Sequence, residues 1–227
     1  MAIRAQPWCM LRILALVLCL SPPARACEVA LLLAVDVSGS ITGDEYIMQM
    51  QGLADAMLNP DVAEALVIGQ DKVALLHWSG LHNQRVSLDW QSLRTPQDVF
   101  DFATAVRTIK RPQDHTDTAI GAALYVALTL FPAPDCSRAV IDLSGDGVEN
   151  AGTSLPQARA AIMAQGMTIN GIAIESGFSV SRITEYFRQS LITPNGFVIT
   201  ARSIDDYQDQ SAAMNISCKC KALPMRC

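Results

Sequence analysis

The sequence lacks any segment that is both apolar and long enough to cross a membrane. A membrane-spanning helix needs about 20 apolar residues, whereas the early apolar stretch covers only 13–20. Arg4 and Arg12 precede this stretch, and an A-x-A type cleavage site follows at 24–26. Together they predict that residues 1–26 are a secretory signal peptide. We therefore expect an exported chain, periplasmic or secreted, without a transmembrane segment.

Basic residues are also scarce. The full chain has 17 basic and 22 acidic residues, a net charge of −5. Three arginines and no acids leave with the signal peptide, so the mature chain has 14 basic residues against 22 acidic and a charge of −8. Nucleic acids bind to basic surfaces, so this balance argues against a nucleic-acid partner.

Internal repeats, charge blocks and low-complexity linkers are absent, and half of the residues are hydrophobic. This composition predicts one globular domain over residues 27–217, followed by a cysteine-containing tail over 218–227.

Cysteines are few and odd in number once the signal peptide is removed. The five that remain are Cys27, Cys136, Cys218, Cys220 and Cys227. An exported chain can form disulfides, and an odd count leaves one thiol free, paired between molecules or modified. A lipid anchor on Cys27 is one such modification. Residues 24–26 lack the large aliphatic and small neutral residues of a bacterial lipobox, which argues against it.

Short apolar runs alternate with amphipathic stretches along the mature chain. The runs cover 29–38, 72–80, 138–147, 167–176 and 196–200, with 85–90 as a possible edge strand. Runs that are apolar at nearly every position are typical of strands in a sheet covered on both faces. The alternation predicts an α/β fold with a doubly wound, mostly parallel sheet flanked by helices in three layers.

Helix signals occupy the gaps between these runs. A capping box at Thr42 and Glu45 predicts a helix that ends at Asn59-Pro60. A second helix begins after Thr95. The remaining predicted helices cover about 118–130, 156–165, 181–190 and 203–217.

Three polar clusters lie at or near the carboxyl ends of the predicted strands, the edge where open α/β sheets bind ligands. The first holds Asp36, Ser38 and Ser40, the second holds Asp146, and the third, DHTDT, covers 114–118. Each cluster alone is typical of an ordinary turn or helix cap. All three at one edge indicate a ligand site.

The three clusters together resemble the von Willebrand factor A family. Its metal-ion-dependent adhesion site combines an Asp-x-Ser-x-Ser loop, a distant Thr, and a later Asp followed by Gly. The resemblance implies as metal ligands Asp36, Ser38, Ser40, Thr116 and Asp146. Thr116 is preferred over Thr118 because it stands first in the Thr-x-Thr-x-x-Gly pattern of the family.

One departure from the family pattern is visible, because residues 144–147 are Ser-Gly-Asp-Gly where the family often has Thr-Asp-Gly. The Asp-Gly pair is nevertheless kept. The stretches DVSGSI, HWSG, IDLSGDG and INGIAI also resemble a bacterial group of exported proteins of this class whose function is not defined.

The chemistry of the five residues is consistent with this interpretation. Two carboxylates and three hydroxyls form an all-oxygen set, which suits Mg²⁺, with Ca²⁺ or Mn²⁺ as alternatives. The resemblance implies that the ion then binds an Asp or Glu of a protein partner, so we expect a non-enzymatic adhesion or interaction module.

Two other functions stay open from the sequence. A bound cation can activate water, and His115 beside Thr116 would be the base of a metal-dependent hydrolase. A purely structural domain with a vestigial metal site is the other alternative. A serine hydrolase is not indicated, because neither Ser38 nor Ser40 lies in a Gly-x-Ser-x-Gly elbow.

The resemblance also places the cysteines. It implies that the strands after Cys27 and Cys136 are neighbours and that the last helix returns its end to the same edge. We therefore expect one or two disulfides there, away from the metal, with the pairing left open. A metal or redox pair at Cys218 and Cys220 is the alternative.

Overall fold

The computed structural model describes residues 27–112, 117–131, 136–152, 154–175, 182–202, 206, 207 and 209. Its strands are β1 Cys27–Asp36, β2 Lys72–Trp78, β3 Gln84–Ser92, β4 Cys136–Gly145, β5 Thr168–Ile174 and β6 Val198–Ala201. Its helices are α1 Gly43–Leu58, α2 Pro60–Gly69, α3 Pro96–Thr108, α4 Ile120–Leu130, α5 Leu155–Ala164 and α6 Arg182–Tyr186. A π-helical turn, Phe187–Leu191, continues α6.

The strands form one six-stranded sheet in the order β3-β2-β1-β4-β5-β6. β1 pairs in parallel with both β2 and β4, and β5 and β6 continue the parallel part. Among the described strands, only the edge strand β3 is antiparallel. The predicted doubly wound, mostly parallel sheet is therefore confirmed, and its central strands β1 and β4 end side by side.

Helices cover both faces of the sheet because β1 is apolar on both sides. Leu31 and Leu33 belong to the core under α1, α2 and α3, whereas Leu32 and Ala34 belong to the core under α4 and α5. This alternation along one strand is the period-two geometry of a β-strand buried on both faces. The predicted three layers follow from it.

The helix predictions need one correction. The sequence predicts Asn59-Pro60 only as the end of α1, but Asn59 also begins α2. Its side-chain oxygen accepts from the backbone N–H groups of Asp61 and Val62, and Pro60 occupies the first helical turn. Proline is well suited to this position because its fixed φ matches the helix and its missing N–H is not needed there. The sixth predicted helix lies largely outside the described residues.

The amino ends of β1 and β4 are joined covalently. Cys27 and Cys136 face each other in the β1–β4 register and form a disulfide. Nearby, the carboxylate of the buried Asp71 accepts a hydrogen bond from the backbone N–H of Val29 at 3.1 Å. One expected staple is therefore present, while Cys218, Cys220 and Cys227 lie outside the described residues.

Within the part of the chain that the structure describes, none of the helices has the length and apolar character needed to cross a membrane.

Candidate metal centre

The loop after β1 is folded around the carboxylate of Asp36. The backbone N–H of Ser38 donates to Asp36 Oδ1 at 2.7 Å, and the N–H of Ile41 donates to the carbonyl of Ser38 at 3.1 Å. The first bond is a side-chain-to-backbone turn of the kind that Asp commonly forms. Both Asp36 and Ser38 are fully buried. The loop therefore holds its polar groups against the end of the sheet.

The end of β4 brings the second carboxylate to this loop. Asp146 follows the last residue of β4, and its Oδ1 accepts a hydrogen bond from Ser40 Oγ at 2.7 Å. Ser40 Oγ also lies 3.2 Å from Ser38 Oγ. Four of the five predicted ligands, Asp36, Ser38, Ser40 and Asp146, are thus brought together.

The predicted threonine cannot be placed in the same way, because Thr116 lies outside the described residues. Its neighbour Thr118 is buried at the same edge, where a Cβ built on Gly147 would come within 3.3 Å of its Oγ1. Asn150 fixes this segment, because its Oδ1 accepts from the backbone N–H of Thr118 at 2.9 Å. Thr118, at the end of the third polar cluster, therefore lies at the carboxyl ends of the strands.

Asp36 carries a buried oxygen that lacks a hydrogen-bond partner. Among the described residues, Oδ2 of Asp36 is fully enclosed and accepts no hydrogen bond. Burial raises the pKa of this carboxyl to about 7 and the charge of Asp146 raises it further, whereas the hydrogen bonds from Ser38 and, least, the backbone of Asp146 lower it. An unpaired buried carboxylate oxygen is costly, and a cation is the kind of ligand that offsets this cost.

The pKa of Asp146 is also raised, mainly by burial, while the hydrogen bond from Ser40 lowers it. Glu45 raises this pKa through its charge and Arg111 lowers it. Two carboxyl groups that each resist ionisation beside the other are consistent with a site for a divalent cation. The donor set of carboxylates and hydroxyls fits a hard cation.

No cluster of three or more His, Cys, Asp or Glu side chains suited to a metal occurs among the described residues. A site made of two carboxylates and serine hydroxyls does not require such a cluster. The four candidate ligands among the described residues are Asp and Ser, whose side chains offer oxygen atoms.

A buried glutamine ties the two strand ends together. Gln49 on α1 donates from Nε2 to the carbonyl of Asp36 at 3.1 Å, and its Oε1 accepts from Ser144 Oγ at 2.6 Å. Sequence reasoning missed this residue. A signal was present, because Gln49 lies between Tyr46 and Leu53 on the apolar stripe of α1, where a polar side chain needs a buried partner.

Arg111 supports the loop from its outer side and was also missed. Its guanidinium donates to the carbonyls of Val37 at 3.2 Å and Ser38 at 2.9 Å, and it lies 6.0 Å from the ring centroid of Tyr46. Nothing in the sequence around Arg111 distinguishes it from an ordinary loop arginine. Its role depends on a contact between residues more than 70 positions apart.

Gly145 leaves room for the Asp36 carboxylate. A Cβ on Gly145 would lie 2.9 Å from Asp36 Oδ2 and 3.3 Å from Trp78 Cζ2. Carbon atoms do not approach a buried carboxylate this closely, so only glycine fits here without a shift. The Gly of the Ser-Gly-Asp-Gly sequence therefore has a steric function at the site.

Solved structures with this arrangement of strands and helices are von Willebrand factor A domains. Proximal thread matrix protein 1 from the mussel byssus superimposes with a TM-score of 0.66 at 19% identity, over 85% of this chain and 48% of that chain. A second structure of that protein has a zinc-occupied MIDAS motif, with a TM-score of 0.65 at 19% identity and the same coverage. The chain thus spans about half the length of these relatives.

A bacterial protein of known structure has the same arrangement of strands and helices. BatB from Bacteroides thetaiotaomicron superimposes with a TM-score of 0.62 at 18% identity, over 86% of this chain and all of that chain. Identities this low show the fold alone, and the fold is that of a von Willebrand factor A domain. No curated protein matches the sequence. The chain belongs to the family described as a protein of unknown function, DUF1194, whose model matches residues 26–214.

Proposed function

We propose that this chain is an exported, non-enzymatic binding module that holds a divalent cation at the carboxyl ends of β1 and β4. Through this cation it binds an acidic residue of a protein partner. The observation that carries the proposal is Asp36 Oδ2, a buried carboxylate oxygen beside the end of β4 that has no hydrogen-bond partner among the described residues. Mg²⁺ is the ion that we propose, with Ca²⁺ or Mn²⁺ as alternatives.

The residues that would hold the ion are Asp36, Ser38, Ser40 and Asp146, with Thr116 added by the resemblance to the family. When bound, the cation would supply an electrophilic centre that attracts a carboxylate from outside. The side chains around the site keep the ligand residues in position. Gln49 fixes the two strand ends, Arg111 fixes the loop, and Gly145 keeps space beside Asp36. The zinc-occupied MIDAS motif in the mussel protein supports a divalent ion in this fold.

Export is part of the proposal. The Cys27–Cys136 disulfide supports an oxidising compartment outside the cytoplasm. The signal peptide proposed for residues 1–26 lies outside the described residues and remains a prediction.

The hydrolase alternative rests on a bound cation that activates water, and its candidate base, His115, lies outside the described residues. Gln49 and Arg111 hydrogen-bond to the strand end and the loop around Asp36, and this fixed arrangement supports binding, so we favour binding over catalysis.

Thermal unfolding with and without Mg²⁺ tests the proposal. A ligand that binds only the folded state at 100 times its Kd adds about 2.7 kcal/mol, which raises the melting temperature of a domain of this size by about 5–10 °C. We expect this rise in the wild type and its loss in Asp36→Ala and Asp146→Ala.

The matched control is Asp89→Ala, which removes an exposed carboxylate on the edge strand β3 and should retain the full Mg²⁺ effect. A wild-type melting temperature that does not respond to Mg²⁺, Ca²⁺ or Mn²⁺ would contradict the proposal and indicate a vestigial site. Turnover of generic ester or phosphate substrates that EDTA abolishes would instead support the hydrolase.

A further inference from the structure

A basic groove lies between the start of β3 and the segment that follows α3. The cavity has a volume of about 590 Å³ and is lined by Arg85, Val86, Ser87, Ile109, Lys110, Arg111 and Pro112. Three of these seven residues are cationic. The whole chain has a net charge of −5, so a groove with three cationic residues is a positively charged region on a negatively charged protein.

The cations of the basic groove are available for a ligand. Arg85 and Lys110 are exposed, and among the described residues the ion pairs involve other arginines, namely Arg107, Arg188 and Arg202. Exposed cations that share one concave surface create a positive potential that favours an anion. The groove therefore has the charge that a carboxylate-bearing ligand requires.

The floor of the basic groove is polar and fixed. The Oγ atom of Ser87 is 2.7 Å from Nδ1 of His77, a fully buried residue of β2. The Nε2 atom of His77 lies 3.5 Å from the hydroxyl of Tyr46, which donates to the carbonyl of Ile109 at 3.1 Å. This chain of contacts joins β3 to the segment after α3, so both walls of the groove are held in place.

The basic groove is continuous with the candidate metal centre through Arg111. This residue lines the groove, and its guanidinium donates to the carbonyl of Ser38 at 2.9 Å. The Arg111 charge also lowers the pKa of Asp146 in the candidate metal centre. A ligand in the groove would therefore lie beside whatever occupies the metal centre.

We propose that the basic groove is a second anion-binding site, which takes a further carboxylate of the same acidic partner segment whose Asp or Glu meets the cation. This inference rests on the proposed function and adds the class of partner, an acidic peptide segment with at least two carboxylates. The basic groove also supplies local positive charge. A mature chain with a net charge of −8 repels an acidic partner at long range. Arg85 and Lys110 oppose that repulsion next to the site.

Fluorescence anisotropy with labelled hexaglutamate tests the inference on the full mature chain. The variant is Arg85→Ala with Lys110→Ala, since Arg111 also positions the metal loop and is left intact. The matched control is Arg94→Ala with Arg182→Ala, which removes two exposed cations elsewhere and changes the net charge equally. Each protein is titrated once with Mg²⁺ and once with EDTA.

We expect the groove variant to bind hexaglutamate about fivefold more weakly than the wild type in both conditions, as the loss of two exposed charge pairs predicts. The control should change by less than twofold. Equal losses in the two variants, or no loss in the groove variant, would overturn the inference. Displacement of the peptide by inorganic phosphate at a lower concentration than by free glutamate would also overturn it.

The same titrations separate the basic groove from the metal centre. Asp146→Ala should remove the gain in affinity that Mg²⁺ gives and keep the part that depends on Arg85 and Lys110. If Mg²⁺ gives no gain in the wild type while the groove variant still binds more weakly than the control, the proposed cation site fails and the groove stands.

Discussion

The two ends of the central strands β1 and β4 use polar groups in opposite ways. At the amino ends, Cys27 and Cys136 are joined by a disulfide, and the buried Asp71 accepts the backbone N–H of Val29. At the carboxyl ends, Asp36 is equally buried but its Oδ2 has no partner among the described residues. The amino ends have a disulfide and a paired carboxylate supplied by the chain itself, and the carboxyl ends have a carboxylate oxygen that a ligand would complete.

This difference assigns the covalent constraint to the amino-end edge and the proposed ion binding to the carboxyl-end edge. Buried polar groups that are fully paired rigidify a fold, whereas a buried group left unpaired in a native structure needs an explanation in function or in a missing ion. The two edges share β1 and β4, yet they lie a full strand length apart. Changes at the amino-end edge should therefore leave ion binding at the carboxyl-end edge unchanged.

The largest effect is expected from the amino-end edge. Replacement of Cys27 and Cys136 by Ser opens a loop of 109 residues, and the chain-entropy model predicts a loss of about 4–5 kcal/mol of unfolding free energy. Urea denaturation measures this loss. Mg²⁺ binding by the folded fraction should stay within twofold of the wild type, and a large loss of affinity would show that the two edges are not separable.

Lowering the pH should reduce the unfolding free energy through His77, which lies near the carboxyl end of β2. Burial, helped by the charge of Arg85, lowers the pKa of His77 to about 4, below the usual 6.5 of an unfolded chain. The unfolded state therefore binds the proton first, and the stability that neutral His77 contributes is full above pH 6.5 and is lost as the pH falls toward 4. The loss is about 3 kcal/mol.

The comparison of wild type with His77→Gln isolates this effect. Asp36 and Asp142 have pKa values raised to about 7 by burial, and they act in the opposite direction, since their ionisation costs stability as the pH rises. The measured quantity is thus the difference between the two proteins in urea denaturation at pH 7 and pH 4. Parallel curves for the two proteins would refute the role of His77.

A smaller effect is expected from Gln49, which joins the ends of β1 and β4. Gln49→Ala leaves the carbonyl of Asp36 and the hydroxyl of Ser144 without their buried partner, which costs about 2 kcal/mol. Gln51→Ala on the exposed side of α1 is the matched control and should change stability by less than about 0.5 kcal/mol. Equal stabilities of the two variants would show that Gln49 does not stabilise the ends of β1 and β4.

The smallest effect is expected from Gly145→Ala, and it concerns affinity. The added methyl group would press on Asp36 Oδ2, so we expect Mg²⁺ affinity to fall about tenfold, as happens when groups around metal ligands are disturbed. Gly43→Ala is the control, because a Cβ there meets nothing within 4 Å. Isothermal titration calorimetry compares the two. An unchanged affinity in Gly145→Ala would show that Asp36 does not contact the ion.

Most of the fold was predictable because the buried strands have apolar residues at nearly every position. The exception is α2, because the residue pair at its start is also a signal for the end of a helix. Asn59-Pro60 ends one helix, since the residue before a proline avoids the helical region, and the same pair begins the next helix through the Asn59 cap. A local pattern that stops one element and starts another cannot be assigned to only one of these functions.

The candidate site was predictable only where its chemistry is local in sequence. Asp36, Ser38 and Ser40 lie in one loop, and Asp146 follows a strand that an apolar run marks clearly. Gln49 and Arg111 reach the loop from a helix and from a distant segment. Their contacts depend on tertiary packing, for which a single sequence has no periodic signal.

A crystal structure of the mature chain with Mn²⁺, located by its anomalous scattering, tests the central claim most directly. The account predicts one ion at the carboxyl ends of β1 and β4, in contact with Ser38 and Ser40 and with Asp36 and Asp146 directly or through water. An ion bound elsewhere, or no ion at millimolar Mn²⁺ with Asp36 Oδ2 still buried and unpaired, would contradict it.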